Sequence, residues 1–167
     1  KQKTAYEIST RDWSSDMCSS DLSKNGAALI ATVEPTNDYG IVFNKDVKPQ
    51  IDIWEDFQCP FCNLFEKTMT NYIEDVIRNK EAKVVFHMAS FIGPDSVRAA
   101  NAANCAVAEG RFIEFHRALY QIQGAENTGV YANANLVEVG KRLGITNPEF
   151  RSEEHTSELQ SRVDISY

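Results

Sequence analysis

The sequence lacks the features that would suit a nucleic-acid or membrane protein. It has no cluster of lysine and arginine, and its net charge is −7 over 167 residues, so it offers no basic surface for phosphate backbones. Its longest apolar runs, such as GAALIATV from Gly26 to Val33, are far shorter than the roughly 20 residues that span a bilayer. No signal peptide is readable at the start. Length and apolar content predict one globular domain with its own core.

Both ends of the chain differ in origin from its middle. The tail RSEEHTSELQS, residues 151–161, resembles the translation of a common sequencing adapter. The reverse complement of that adapter, read one base in, gives YEISTRDWSSDVCSSDL, which is Tyr6 to Leu22 with Met17 in place of the expected valine. Composition alone would describe both ends as ordinary solvated tails. The antisense agreement favours the adapter origin.

The adapter origin restricts the residues that can carry function. We predict that residues 1–22 and 151–167 form no domain and that neither Cys18 nor His155 belongs to a site. The evolved segment is then 23–150, and we expect native sequence to be missing on both sides of it.

Hydrophobic periodicity predicts an α/β arrangement in the first half of this segment. QIDIWEDF, residues 50–57, alternates as a strand does, AKVVFHMASF (82–91) is a second strand, and a short strand is expected near Ile41 to Phe43. From Pro60 the pattern changes to that of a helix, which RNKE ends. Its apolar residues at helical spacing are Phe61, Leu64, Phe65, Met69, Tyr72, Ile73, Val76 and Ile77.

Three successive helices are predicted over about 95–145. Gly110 should end the first of them, VRAANAANCAVAEG. The second, RFIEFHRALYQIQG, carries a core stripe of Phe112, Phe115, Leu119 and Tyr120, and we expect its His116 to be structural or half-exposed. The candidate N-cap residues are Asp95 or Ser96 for the first helix and Asn133 or Asn135 for the third.

The motif that carries chemistry is CPFC, within EDFQCPFCNLFEK from Glu55 to Lys67. It lies where a strand leads into a helix, so Cys59 is expected near the N-cap, Pro60 at the first helical position and Cys62 one turn further. The helix dipole and the unpaired N–H groups there favour a thiolate. Thiols in such positions have pKa values of about 3.5 to 7.5. A stabilised dithiol makes the corresponding disulfide an oxidant.

Three other interpretations of the cysteine pair remain open at this point. Half of a zinc site has the same spacing, but the evolved segment offers only Cys105, His87 and His116 as further ligands, none at paired spacing. A structural disulfide or a buried pair of inert thiols would not require the proline or the strand-to-helix position. The pattern therefore favours redox chemistry without a metal.

WEDFQCPFCNLFE, followed by SVRAANAANCAVAEGRFIEFHRALYQIQGAENTG, resembles the DsbA-like thiol-disulfide oxidoreductases, especially those of actinobacteria. The resemblance covers about Val42 to Phe150 and implies a thioredoxin fold interrupted by a helical insertion. It implies that Cys59 attacks and forms the mixed disulfide and that Cys62 resolves it. The redox-active Cys59–Cys62 disulfide would be the only redox group, with no separate cofactor.

The resemblance also implies a place and partners. Family members act outside the cytoplasm of bacteria, behind a signal peptide or membrane anchor that would have preceded Ser23. Their substrates are reduced or unfolded envelope and secreted proteins, and a membrane partner of the DsbB or vitamin K epoxide reductase-like type reoxidises them. We expect a monomer.

Several residues depart from the family pattern. Thioredoxin keeps a buried acid six residues before its first cysteine, where this chain has Ile53. Glu55 or Asp56 could serve as the proton shuttle instead, the alternative being a solvated strand end. His87 could approach the thiolate. The dipeptide Pro60-Phe61 lacks the histidine of the strongest oxidants, so intermediate oxidising power is expected.

None of the five prolines suits the cis-proline loop that receives substrate in this fold. We expect that loop, the final strands and the last helix to lie beyond Phe150. The chain by itself would then be inactive although its complete parent is an enzyme. Loss of the strands would leave Ile51, Ile53 and Val85 partly in water.

The evolved segment contains one further cysteine, Cys105, and two other functions remain possible for the protein. In similar proteins a cysteine at the position of Cys105 can form a structural disulfide, whose partner here would fall just past Phe150; the alternative is a buried free thiol. The rival functions are a non-catalytic thioredoxin-fold module that binds a protein or metal, and a cytoplasmic disulfide reductase, which its reduction potential would distinguish.

Overall fold

The structure, a computed structural model, describes residues 28–34 and 39–146. The predicted adapter segments therefore lie outside the described residues. The strands are β1 (Thr32–Glu34), β2 (Gly40–Phe43), β3 (Gln50–Glu55) and β4 (Lys83–Met88). The helices are α1 (Pro60–Arg78), α2 (Pro94–Ala108), α3 (Phe112–Gln121) and α4 (Asn133–Arg142). Within the described residues, no helix is long and apolar enough to cross a membrane.

The strands form one sheet in the order β1–β2–β4–β3. β2 pairs antiparallel with both β1 and β4, whereas β3 and β4 are parallel. Two parallel neighbours need a crossover, and α1 provides it. The predicted strands on either side of CPFC and the helix between them are thus confirmed, and β1 is an additional strand that the sequence pattern did not reveal.

Alternation along β3 divides its side chains between the two faces of the sheet. Ile53 lies opposite Phe86 and both belong to the core, while Trp54 lies opposite His87 on the other face. The expected exposure of Ile53 and Val85 was wrong, because they are 7% and 0% exposed. Ile53 packs in the core, and Val85 lies on a strand with a neighbour on each side; of the three residues named, only Ile51 is partly exposed.

The apolar stripe predicted for α1 is buried only in the second half of the helix, and even there Tyr72 is exposed. Ile73, Val76 and Ile77 are buried there. In the first half the buried residues are Asn63 and Glu66. Three of the predicted stripe residues near the start of the helix are exposed instead, namely Phe61, Leu64 and Phe65. The start of α1 therefore turns its polar side chains inward and its apolar side chains towards solvent.

The three predicted helices of the insertion are present as α2, α3 and α4, and the core stripe of α3 is buried as expected. Gly110, in the left-handed region at φ 64°, follows α2 as predicted. The predicted N-caps were wrong. Gly93 and Ala132 occupy the two N-cap positions, and neither makes a side-chain cap. Asp95, Ser96 and Asn135 instead use their side chains for contacts with other segments.

Candidate active site

The CPFC motif spans the end of the turn after β3, at Cys59, and the first three residues of α1. The N–H of Cys59 donates to the carbonyl of Asp56 at 2.9 Å, and the Cys59 carbonyl accepts from the N–H of Asn63 at 3.1 Å. Cys59 is the N-cap, with extended backbone at φ −71° and ψ 120°, and Pro60 follows at the start of α1. The predicted placement of these residues is confirmed. The Cys59 side chain is therefore at the end of the helix where N–H groups are unpaired.

Cys62 lies one turn further into α1, half-buried against the core. Burial raises the pKa of the Cys62 thiol to about 11, and the neighbouring Cys59 and the charge of Glu55 act in the same direction. Cys62 is therefore a thiol, not a thiolate, throughout the physiological range.

Asp56 is a buried carboxylate with a full set of donors. Its two oxygens accept from the N–H of Gln58 at 2.8 Å, from the hydroxyl of Ser96 at 2.6 Å and from the N–H of Ile92 at 3.2 Å. The interpretation of Asp56 as part of a solvated strand end was wrong, because the residue is 0% exposed. Its contacts join the active-site turn to the start of α2, so Asp56 holds these two segments together.

Glu55 is also buried and belongs to a charged cluster under the active-site turn. Its carboxylate is hydrogen-bonded to Nε2 of His116, whose Nδ1 lies 3.6 Å from Glu66. Burial alone would lower the pKa of His116, but the charge and hydrogen bond of Glu55, with those of Glu66, raise it to about 10. Burial would likewise raise the pKa of Glu66, but His116 outweighs this and holds it below its usual value. His116 is therefore an imidazolium between two carboxylates.

The surroundings of this cluster are aromatic. Rings pack around the imidazole of His116 with centroid distances of 5.1 to 5.5 Å, and they belong to Phe57, Phe86, Phe112 and Tyr120. One oxygen of Glu55, Oε2, is buried with no hydrogen-bond partner. The expectation of a structural or half-exposed His116 is thus confirmed in its structural form, since the residue is wholly buried.

Glu55, Glu66 and His116 also offer three ligand atoms within 4.8 Å of one another. Metals bind neutral imidazole, so a cation would have to displace a proton from a ring whose pKa is raised to about 10. The adjoining cavity has a volume of only about 10 Å³. The residues fit a closed ion-paired cluster better than a metal site.

Side chains of the insertion hold the backbone of the active-site turn. The side-chain amide of Gln123 donates to the carbonyls of Phe57 at 2.7 Å and Cys59 at 3.0 Å. The hydroxyl of Tyr131 is 3.0 Å from the same Phe57 carbonyl, and that of Tyr120 is 3.3 Å from the Asp56 carbonyl. The sequence predicted Tyr120 only as a core residue and did not predict any of these contacts with the turn, because each partner lies more than 60 positions away in sequence.

His87 is not in this group. Its Nε2 is 3.0 Å from Oδ1 of Asp52, and its ring stacks on Trp54 with centroids 4.0 Å apart. These contacts lie on the face of β3 opposite to Glu55, so the hypothesis that His87 approaches the thiolate finds no support. Cys105 lies on α2, half-buried, and the segment that would hold its predicted partner is outside the described residues.

The surface beside CPFC is apolar. Phe61 is 80% exposed, and Leu64 and Phe65 are exposed on the same two turns of α1. Phe91, also exposed, follows β4, whose carboxyl end lies at the same edge of the sheet as that of β3 because the two strands are parallel. Exposed apolar side chains beside the CPFC motif can contact another polypeptide.

A family model described as thioredoxin matches residues 38–162. The chain belongs to the thioredoxin family. The match includes residues 151–162, which the sequence assigns to adapter and which lie outside the described residues, so that assignment stays a prediction. Among curated proteins, none matches the sequence.

Solved structures agree with this family in fold. The chain is similar to oxidised DsbA from Mycobacterium tuberculosis, with a TM-score of 0.63 and 23% identity over 77% of this chain and 79% of that one. For reduced DsbG of the same organism the TM-score is 0.63 and the identity 22%, over 79% of this chain and 72% of that one. For MdbA, a thiol-disulfide oxidoreductase from Corynebacterium matruchotii, the TM-score is 0.68 and the identity 18%, over 90% of this chain and 79% of that one. The predicted DsbA-like thioredoxin fold with a helical insertion is confirmed.

Proposed function

We propose that this thioredoxin-family domain is a thiol-disulfide oxidoreductase that passes the Cys59–Cys62 disulfide to protein thiols. The observation that carries the proposal is the position of the two cysteines. Cys59 is the N-cap of α1, and the half-buried Cys62 lies one turn further with its thiol pKa raised to about 11. One sulfur is placed to be a thiolate and the other to be a thiol, which is the division of roles that exchange requires.

The reaction balances as two displacements. A substrate thiolate attacks the Cys59 sulfur of the disulfide, a substrate–Cys59 bond forms, and Cys62 leaves as a thiolate that takes up a proton. A second substrate thiolate then attacks the substrate sulfur of this mixed disulfide, and Cys59 leaves as a thiolate. The substrate has lost two electrons and gained a disulfide, and the protein holds the dithiol.

We assign to Glu55 the control of the charge on Cys62, whereas the proton that the departing thiolate takes up comes from solvent. The negative charge of Glu55 acts on the Cys62 thiol, and its Oε2 is buried without another hydrogen-bond partner. Glu55 therefore opposes a lasting charge on Cys62 and favours protonation of the departing thiolate. His116 neutralises the other side of the carboxylate.

The apolar surface formed by Phe61, Leu64, Phe65 and Phe91 indicates the substrate class. Unfolded proteins expose apolar side chains together with their reduced cysteines, so such a surface would bind them in preference to folded proteins. Reduced or unfolded envelope and secreted proteins are the proposed substrates.

The proposed place of action is outside the cytoplasm, where disulfides persist. The similarity in fold to DsbA and to the MdbA oxidoreductases supports this proposal. Each cycle leaves the dithiol, so a membrane oxidant of the DsbB or vitamin K epoxide reductase-like type would restore the disulfide.

Single-turnover disulfide transfer tests the function, because one round needs only the two cysteines and a substrate; the inactivity expected of this chain concerns repeated, catalysed turnover without the cis-proline loop. The oxidised chain is mixed with reduced, unfolded ribonuclease, and loss of substrate thiols is followed. We expect the chain to lose one disulfide for each disulfide that the substrate gains. Cys59→Ser should abolish the transfer, whereas Cys105→Ser, on α2, should leave it unchanged.

Other outcomes would identify a rival. Tight binding of the substrate with no transfer would indicate a non-catalytic binding module. Transfer in the opposite direction, with a reduction potential near the thioredoxin value of about −270 mV, would indicate a cytoplasmic reductase.

A further inference from the structure

Gln123 connects the helical insertion to the reactive cysteine through three hydrogen bonds. Its amide nitrogen donates to the carbonyls of Phe57 and Cys59, at 2.7 and 3.0 Å. Its amide oxygen accepts from the side chain of Asn63 at 2.7 Å. Asn63 also donates to the carbonyl of Tyr120 at 3.2 Å. The side-chain amide of Gln123 is thus oriented at both ends.

The two carbonyls that Gln123 contacts belong to the turn that presents the Cys59 sulfur. A carbonyl oxygen carries partial negative charge, so carbonyls of this turn that lack donors would oppose a negative charge on the sulfur of the same turn. An N–H donor that contacts both carbonyls offsets this charge. It also holds Cys59 in the extended backbone conformation that makes it the N-cap, with its sulfur at the positive end of α1.

The same turn receives further contacts from the insertion. The N–H of Asn127 donates to Oε1 of Gln58 at 2.6 Å, and the amide of Gln58 donates to Ser96 at 2.9 Å. These contacts use the side chain of Gln58, whereas Gln123 binds the backbone carbonyl of the cysteine itself. Gln123 is therefore the insertion residue best placed to influence the reactivity of Cys59.

We propose that Gln123 is a positioning residue that favours the Cys59 thiolate and so sets how strongly the disulfide oxidises. The inference rests on the proposed thiol-disulfide exchange and assigns part of its control to the insertion. Loss of the amide donor lowers the thiolate fraction of Cys59 and destabilises the dithiol. The disulfide then becomes a weaker oxidant.

Gln123→Met tests this assignment, because methionine has nearly the same length but no donor. The matched control is Asn135→Leu. The side chain of Asn135 donates to the carbonyls of Gly129 and Val130, at 3.2 and 3.0 Å. This control therefore matches the two hydrogen bonds that Gln123 donates, although not the one that Gln123 accepts, and it touches no active-site carbonyl.

Two readouts are compared for each variant and the wild-type chain. The first is the rate of Cys59 alkylation by iodoacetamide as a function of pH, with the site mapped by peptide mass. The second is the equilibrium constant for reduction of the Cys59–Cys62 disulfide by glutathione. We expect Gln123→Met, which removes all three hydrogen bonds of the side chain, to lower the rate near pH 6 and the equilibrium constant by at least about two- to tenfold, the range for one hydrogen bond. Asn135→Leu should change neither.

A second variant keeps the test decisive if Gln123→Met does not fold. Asn63→Leu removes the group that orients the Gln123 amide and should shift both readouts in the same direction by a smaller factor. Unchanged readouts in folded Gln123→Met, or equal changes in Asn135→Leu, would overturn the inference while leaving the proposed function intact. A wild-type chain that exchanges no disulfide with glutathione would overturn the proposed function itself.

Discussion

His116 shows how a single residue links the active site to stability. The imidazolium lies between the carboxylates of Glu55 and Glu66, and all three are buried. Removing one partner of a buried ion pair leaves an uncompensated charge and costs about 3–5 kcal/mol. We therefore expect His116→Gln to lower the free energy of unfolding at pH 6 by about that amount.

The effect of His116→Gln should depend on pH in a defined direction. The folded pKa of His116 is raised to about 10 from an ordinary value of 6.5. The stabilisation that its positive charge adds to the free energy of unfolding is therefore complete below pH 6.5 and is lost as the pH rises towards 10. The pKa of Glu66 is lowered from 4.5, so its contribution is present above 4.5 and is lost as the pH falls through the folded value.

Urea unfolding of the wild-type chain and of His116→Gln, at intervals from pH 6 to pH 10, measures this dependence. The difference in unfolding free energy should narrow as the pH rises. Glu138→Gln is the control, because Glu138 pairs with Arg142 on the surface of α4 at 3.0 Å and an exposed pair contributes about 1 kcal/mol or less. A difference that stays constant across this range would contradict the charged state assigned to His116.

At the scale of the element, α1 has two halves with different tasks. Its second half packs on the sheet through Ile73, Val76 and Ile77, whereas its first half exposes Leu64 beside the cysteines. Ile77→Ala should cost about 2–5 kcal/mol because it creates a cavity in the core. Leu64→Ala should change stability by about 0.5 kcal/mol or less, as most surface substitutions do.

The same two substitutions should rank in the opposite order in their effect on disulfide transfer to substrate. Under conditions where both variants are folded, Leu64→Ala should slow disulfide transfer to reduced, unfolded ribonuclease but not to glutathione, which has no extended apolar surface. Ile77→Ala should transfer to both at the wild-type rate. Equal rates for Leu64→Ala and the wild type on the unfolded protein would show that this surface does not receive substrate.

The sequence was sufficient to predict α1 as a helix but not which of its faces is buried at the start. Periodicity assigns the buried face from apolar residues, and Phe61, Leu64 and Phe65 follow the helical spacing. Asn63 and Glu66 are buried because they contact Gln123 and His116. These partners lie 50 or more positions further along the chain. A long-range polar contact leaves no periodic signal. Alternation along β3 did contain one clue, since it places Glu55 on the same face as Ile53.

At the scale of the whole molecule, the insertion forms hydrogen bonds to the active-site turn as well as adding side chains to the core. Three of the four described strands, the crossover helix and the three insertion helices could be predicted, because each has its own local pattern, whereas β1 could not. The contacts that join them could not. Asp56, Gln58 and Gln123 connect the turn to α2 and to the segment after α3, and no spacing rule relates positions so far apart.

The central claim is that Cys59, and not Cys62, forms the bond to substrate. Trapping measures this most directly. A Cys62→Ser chain carrying a labile disulfide on Cys59 is mixed with reduced, unfolded ribonuclease, quenched with acid and mapped by peptide mass, beside a Cys59→Ser chain treated in the same way. We predict a stable substrate–Cys59 disulfide in the first chain and little or no adduct in the second. A substrate bond at Cys62 that forms as fast in the second chain would contradict the roles assigned to the two cysteines.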